Sequence, residues 1–92
     1  MGGVSQGSGV LRLPTVLRWK GYRFYFFSNE GTEPPHIHID KDGNTVKYWL
    51  NPVRLARRIG FTDRELRTVE EKVLSEQKKF LEAWNEYFGD RN

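Results

Sequence analysis

The sequence contains no cysteine and no long apolar run, and both absences limit what the protein can be. Without cysteine there is no disulfide framework, no thiolate metal site and no cysteine nucleophile, which is typical of a protein from a reducing compartment. The apolar runs are only a few residues long, whereas a membrane-spanning helix needs about 20. We therefore expect a cytoplasmic protein without a membrane-spanning segment.

The beginning of the chain is also poor in apolar side chains and consists mainly of glycine and serine. It lacks the basic and apolar regions of a secretory signal. We expect residues 1–10 to be a disordered leader. Residues 11–90 should form one domain, because a chain of 92 residues supplies material for a single core.

Aromatic residues and basic residues are well represented. Aromatics make up 14% of the chain, so large rings should supply much of the core although only 37% of the residues are hydrophobic. The formal net charge is +3 and the isoelectric point is about 9.4. This mild basicity permits contact with nucleic acid or with an acidic protein, and it requires neither.

The alternation of residue types predicts about four antiparallel strands in two hairpins. The first hairpin joins a strand over residues 13–18 to the aromatic strand Tyr22–Phe27 through a turn that contains glycine. The second joins His36–Asp40 to Thr45–Leu50. Asp42-Gly43 between them is typical of a type I′ hairpin turn.

The register of the second hairpin decides which side chains share a face. With Asp42-Gly43 as the two turn residues, His38 lies opposite Lys47. By the same count His36 lies opposite Trp49. Successive strand residues point to opposite faces, so these four share one face while the apolar residues between them face the core.

Two helices are predicted after the second hairpin. Asn51-Pro52 resembles an N-cap followed by proline at the first helical position, and Gly60 is placed to end this short helix. Thr62 and Glu65 form a capping box that begins a C-terminal helix of about seven turns. This helix should end before Gly89. The predicted fold class is α+β, with the sheet packed on the long amphipathic helix.

The polar face of the sheet supports three interpretations. In the first it acts on a phosphodiester, because histidine transfers protons near neutral pH, cations stabilise phosphate charge and aromatic rings stack on unpaired bases. The candidate catalytic residues are His36, His38, Lys47 and Glu33. The candidate nucleic-acid-binding residues are Arg23, Tyr25, Trp49, Arg54, Arg57 and Arg58.

In the second interpretation His36 and His38 ligate a metal ion, with a carboxylate from Glu30, Glu33 or Asp40 as the third ligand. A His-x-His pair alone is a weak metal signal, and the chain has no cofactor signature, so no metal or cofactor is expected. In the third interpretation the face is structural or forms a protein interface, with solvated arginines. Whether the protein is an enzyme stays open between these three.

Several segments resemble the domain of unknown function 4160 (DUF4160) family of small bacterial proteins. The resemblance runs from about Leu13 to Gly89 and rests on Gly21 to Phe24, Ser28-Asn29-Glu30, Glu33 to Ile39, Lys47 to Leu50 and Trp84 to Phe88. It maps the family motif onto Asn29, Glu30, Glu33, His36, His38, Lys47 and Trp49.

Members of that family resemble toxin–antitoxin components. They are often encoded beside a small protein of another uncharacterised family, and some are treated as the toxin of the pair. The resemblance therefore implies a toxin-like role with a cognate antitoxin-like protein as partner, and it allows a ribonuclease-like activity on RNA. It brings no catalytic mechanism with it.

Overall fold

The computed structural model describes residues 15–28 and 31–89, which form a five-stranded antiparallel sheet followed by two helices. The elements are β1 (Thr15–Trp19), β2 (Tyr22–Tyr25), β3 (His36–Lys41), β4 (Asn44–Leu50), β5 (Val53–Ile59), α1 (Asp63–Ser75) and α2 (Gln77–Phe88). The strands lie side by side in chain order. The α+β class is confirmed with one strand more than predicted. The expected leader, residues 1–10, lies outside the described residues.

Both predicted hairpins are present, and each turns on two residues with positive φ. Lys20 and Gly21 join β1 to β2 with φ of 51° and 84°. Asp42 and Gly43 join β3 to β4 with φ of 51° and 83°. Positive φ at both central residues defines a type I′ turn, whose twist matches that of the flanking strands. The predicted register of the second hairpin is confirmed along its length.

The predicted short helix between residues 51 and 60 is wrong, because Val53–Ile59 forms β5. Seven residues are too few for a helix that is stable without tertiary contacts. As a strand, the segment pairs with β4 from Thr45 to Leu50 and satisfies backbone groups that β4 would otherwise leave open at an edge. Asn51-Pro52, expected to begin the helix, forms the turn between the two strands.

A β-bulge at Ala56 interrupts the pairing of β4 with β5. Lys47 lies opposite Arg57, whereas the next residue, Tyr48, lies opposite Leu55. An extra residue in one strand reverses the alternation of faces beyond it. Residues 53–55 therefore alternate in the opposite sense from residues 57–59.

Both helices pack on one face of the sheet and enclose an aromatic core. Phe24 of β2 stacks on Phe80 of α2 with 5.5 Å between ring centroids. The hydroxyl of Tyr48 donates a hydrogen bond to Glu70 of α1 at 2.9 Å, and burial raises the pKa of this tyrosine. Of the two described helices, neither is long and apolar enough to cross a membrane.

The C-terminal helix is divided at Glu76, whereas the sequence predicts one continuous helix. The capping box of Thr62 and Glu65 begins α1 as predicted. Glu76 then leaves helical geometry, with φ −107° and ψ 12°. At the break the side-chain amide of Gln77 donates to the carbonyl oxygen of Leu50 at 2.7 Å. This bond ties the junction of the helices to the end of β4, a contact between segments far apart in sequence.

Trp84→Ala should lower the free energy of unfolding by about 3–5 kcal/mol, because truncating a large buried ring leaves a cavity. Trp84 is 5% exposed and contacts the rings of Phe26, Phe88 and His36. Urea unfolding measures the change. Tyr87→Ala on the same helix is the control, since that ring is 44% exposed and its loss should cost clearly less. Equal losses would contradict the placement of Trp84 in the core.

Candidate functional site

The sheet face opposite the helices, here called the outer face, carries most of the predicted site residues in rows across the strands. Paired residues of neighbouring strands lie side by side on one face, with strands about 4.8 Å apart. One row, here called the central row, crosses four strands and consists of Tyr25, His38, Lys47 and Arg57. The chain thus brings one imidazole and two cations into line.

Two further rows flank the central row. On one side the paired residues are Arg23, Asp40, Thr45 and Ile59. On the other side they are His36, Trp49 and Arg54. Cationic and aromatic side chains therefore share the outer face with Asp40, Thr45 and Ile59.

His38 is half-buried between aromatic rings and cations. The ring of Tyr25 stacks on its imidazole with 5.4 Å between centroids, and Phe27 contacts it edge-on at 4.8 Å. Lys47 and Arg57 follow on the other side of the row. Phe27 was missed as a site residue, although the alternation that places Tyr25 on this face indicates it too.

Two contacts hold Lys47 in place. Its Nζ donates to Oε1 of Glu33 at 2.8 Å and lies 4.6 Å from the ring centroid of Trp49. Lys47 thus contacts both Glu33 and Trp49, which the sequence indicated as separate site candidates. Because Glu33 compensates part of the charge of Lys47, Arg54 and Arg57 of β5 are the stronger attraction for an anion. Within residues 15–28 and 31–89, no salt bridge joins Arg54 or Arg57 to a carboxylate.

His36 does not contribute to an open surface, and that expectation is wrong. Its side chain is fully buried, with Nδ1 2.9 Å from the carbonyl oxygen of Pro34 and 3.6 Å from Oε1 of Glu33. It lies opposite Trp49 as predicted, but Trp84 of α2 packs on the imidazole with 4.8 Å between centroids. Strand alternation determines the face of a residue, and not whether another element covers it.

The three arginines expected on one helical face are divided between the two faces of β5. Arg54 and Arg57 lie on the outer face, and the bulge allows this although they are three positions apart. Arg58 lies on the helix side, where its guanidinium donates to Asp63 at 2.7 Å. That hydrogen bond holds the pKa of Asp63 below its usual range.

Asp40 and Tyr25 form a hydrogen-bonded pair beside His38. The hydroxyl of Tyr25 donates to the two carboxylate oxygens, at 3.0 and 3.1 Å. The guanidinium carbon of Arg23 lies 4.5 Å from the centroid of the tyrosine ring. Burial, together with the charge of Asp40, raises the pKa of Tyr25 to about 12. Because Tyr25 is 5% exposed, its contacts lie within the protein, where it orients the carboxylate.

An open pocket of about 340 Å³ lies over the central row. Its lining includes three rings, one carboxylate, one threonine hydroxyl and two cations, from Tyr25, Phe27, His38, Asp40, Thr45, Lys47 and Arg57. Small-ligand sites are typically concave surfaces that combine apolar walls with a few polar groups. This pocket has that character and opens onto the cationic face.

The metal interpretation gains no set of ligands from the described residues. Within residues 15–28 and 31–89, no three histidine, aspartate or glutamate side chains are grouped closely enough to hold a metal ion. Asn29 and Glu30, which belong to the proposed loop motif, lie outside the described residues.

Tyr25→Phe should destabilise the protein by about 1–2 kcal/mol at neutral pH, and this loss should shrink as the pH rises above about 10. A raised pKa in the folded state means that folding favours the protonated phenol. That contribution is complete below the unfolded pKa of about 10 and disappears as the pH approaches the folded pKa. Thermal unfolding of both proteins across this range measures the difference. A loss that does not depend on pH would contradict the raised pKa.

Comparison with known proteins places the chain in a family. No curated protein and no solved structure matches it. A family model described as Domain of unknown function (DUF4160) matches residues 21–85. This segment contains the central row, the pocket and most of both helices. Because the match covers more than half of the sequence, the chain belongs to the DUF4160 family.

Proposed function

We propose that the protein binds single-stranded RNA across the outer face and acts as the toxin-like component of a toxin–antitoxin pair. The central row carries the RNA proposal, because His38, Lys47 and Arg57 stand side by side on three strands beneath an open pocket. A phosphodiester held by the two cations lies next to the imidazole. The toxin-like role rests on the family resemblance.

The charge of the outer face suits a polyanion. Arg18 and Arg23 extend the cationic surface across β1 and β2, while Arg54 and Arg57 extend it across β5. Cations that neutralise phosphates release condensed counterions, which favours binding at low salt. Among the paired positions of this face, Asp40 is the carboxylate that opposes them.

The aromatic side chains favour a single strand over a duplex. Trp49 and Phe27 are half-buried on the outer face, and each therefore presents part of its ring to solvent. Stacking of a base on such a ring is worth about 1–3 kcal/mol and needs an unpaired base. A single strand of RNA that runs across the rows of the outer face would contact both rings and cations.

His38 is the best placed group for proton transfer. In RNA cleavage it would take the proton of a 2′-hydroxyl as that oxygen bonds to the adjacent phosphorus, while Lys47 and Arg57 stabilise the added charge. The bond from phosphorus to the 5′-oxygen then breaks, which leaves a 2′,3′-cyclic phosphate, and the departing oxygen takes a proton from water while His38 returns its own proton to solvent. His36 touches His38 edge-on, with 5.1 Å between ring centroids, and so acts as a positioning residue.

His38→Ala should abolish growth inhibition and RNA cleavage in a protein that stays folded, because a missing proton shuttle costs about 10²–10⁴ in rate. His36→Ala should mainly lower the melting temperature, since its buried ring packs on Trp84. Gel analysis of RNA, a growth assay and thermal unfolding separate the two effects. A folded His38→Ala variant with undiminished toxicity would rule out catalysis by this residue.

Arg57→Gln should weaken RNA binding in a salt-dependent way, whereas Arg58→Gln should not. The two residues are adjacent and chemically identical but lie on opposite faces of β5, so one is a matched control for the other. Loss of one phosphate contact should reduce the slope of log K against log salt by about 0.7 for a single strand. Fluorescence anisotropy with a labelled oligouridylate measures this slope. Equal effects would mean that net charge, and not the outer face, attracts RNA.

A second candidate function is a protein interface on β5. This edge strand is exposed at six of its seven positions, including Leu55 at 39% and Ile59 at 49%. Its residues Arg54 and Arg57 would complement an acidic segment of an antitoxin-like partner. If this is the function, RNA stays intact in every assay, and substitution of both arginines by glutamine abolishes partner binding instead.

A further inference from the structure

We propose that the pocket over the central row binds a guanine base and that Asp40 is the residue that distinguishes guanine from other bases. This inference rests on the proposed binding of RNA. One carboxylate, that of Asp40, differs in charge from the cations that surround it on the outer face. Asp40 lies in a face of cations and aromatic rings, between Arg23 and Thr45 in its row.

A carboxylate at this place repels the phosphates that the surrounding cations attract. It therefore contributes nothing to the attraction of the phosphates. An ionised carboxylate only accepts hydrogen bonds, and in RNA the N–H groups of the base edges are donors that such an acceptor can bind. Asp40 is half-buried and lines the pocket, so a base that enters meets its oxygens.

The hydrogen bonds of Asp40 fix the orientation of its carboxylate. The Tyr25 hydroxyl approaches both oxygens, at 3.0 and 3.1 Å, but supplies a single proton. A carboxylate has about four acceptor positions, so most of them stay available for a ligand. Arg23 lies opposite Asp40 in the strand register. The carboxylate is thus oriented before any base arrives.

Guanine is the base whose edge matches a carboxylate. Its N1–H and N2–H point in the same direction and can each bond to one oxygen, whereas adenine, cytosine and uracil lack such an adjacent pair of donors. The other walls suit the same base. Phe27 and His38 offer ring faces and edges for stacking, and Arg57 lies across the pocket, where arginine commonly donates to guanine O6 and N7.

The size of the pocket suits one base with its sugar and phosphate. A volume of about 340 Å³ lies at the lower end of the range of about 300–1,000 Å³ for small-molecule sites. Lys47 lines the same pocket and is paired directly with His38. The phosphate attached to the bound guanosine therefore falls near the central row.

The test uses fluorescein-labelled oligoadenylates with adenine, guanine or inosine at one central position. The wild-type protein should bind the guanine oligonucleotide about tenfold more tightly than oligoadenylate, because a bidentate contact typically discriminates between bases by about fivefold to more than a hundredfold. Inosine, which lacks the N2 amino group, should recover only part of the gain. Anisotropy titration at one salt concentration measures all three.

Asp40→Asn should remove the preference for guanine while binding of oligoadenylate persists, because the amide offers only one acceptor oxygen. Asp42→Asn is the matched control, since Asp42 is an exposed turn residue outside the pocket lining. This variant should keep the full preference. If Asp40→Asn does not fold, the comparison of guanine with inosine in the wild-type protein decides the question.

GMP and AMP distinguish a base within RNA from a free nucleotide. GMP should displace the labelled oligonucleotide at lower concentration than AMP, and weaker binding of GMP than of the guanine oligonucleotide indicates RNA as the source. Equal affinity of the wild-type protein for the guanine and adenine oligonucleotides would overturn the guanine inference and leave RNA binding intact. Failure to bind any oligonucleotide would overturn both proposals.

Discussion

The pairing of β3 with β4 through the Asp42-Gly43 turn is the constraint on which the remainder of the structure depends. A type I′ turn sets the register, and a slip of one residue would move every side chain of a strand to the opposite face. If β3 slipped in this way, His38 would enter the core, and Ile37 and Ile39 would become exposed. Two turn residues thereby separate an aromatic core from a cationic outer face.

The cation of Lys47 on the outer face is fixed in place by one aromatic and one acidic neighbour. Lys47 lies over Trp49 and bonds to Glu33, and the same carboxylate oxygen lies 3.6 Å from Nδ1 of His36. Of the residues that the resemblance maps to the family motif, the five that the structure describes thus form a connected network, completed by the contact of His36 with His38. Side chains fixed in this way lose less conformational entropy when a ligand binds.

The pairing of β5 with β4 widens the cationic part of the outer face by one strand. This pairing places Arg57 beside Lys47, and the bulge at Ala56 returns Arg54 to the same face. Edge strands commonly carry charges and bulges that prevent pairing with other chains. Here the same devices supply the cations for the proposed RNA surface, so protection of the edge and recognition of an anion use the same residues.

The sequence by itself determined the features that depend on near neighbours. Both hairpins, the register of the second and the capping box at Thr62 follow from turn residues, alternation and spacing within a few positions. The same local signals placed His38, Lys47, Trp49 and Arg23 on one face.

Only the tertiary structure decided the features that depend on distant partners. Local preferences allow Val53–Ile59 to be a helix or a strand, and pairing with β4 selects the strand. Trp84, almost fifty positions away, covers His36, and the bond from Gln77 to Leu50 marks the break between the helices. Each of these outcomes depends on burial and hydrogen bonding between segments that are distant in the sequence. Local sequence patterns do not show that such segments are close in space.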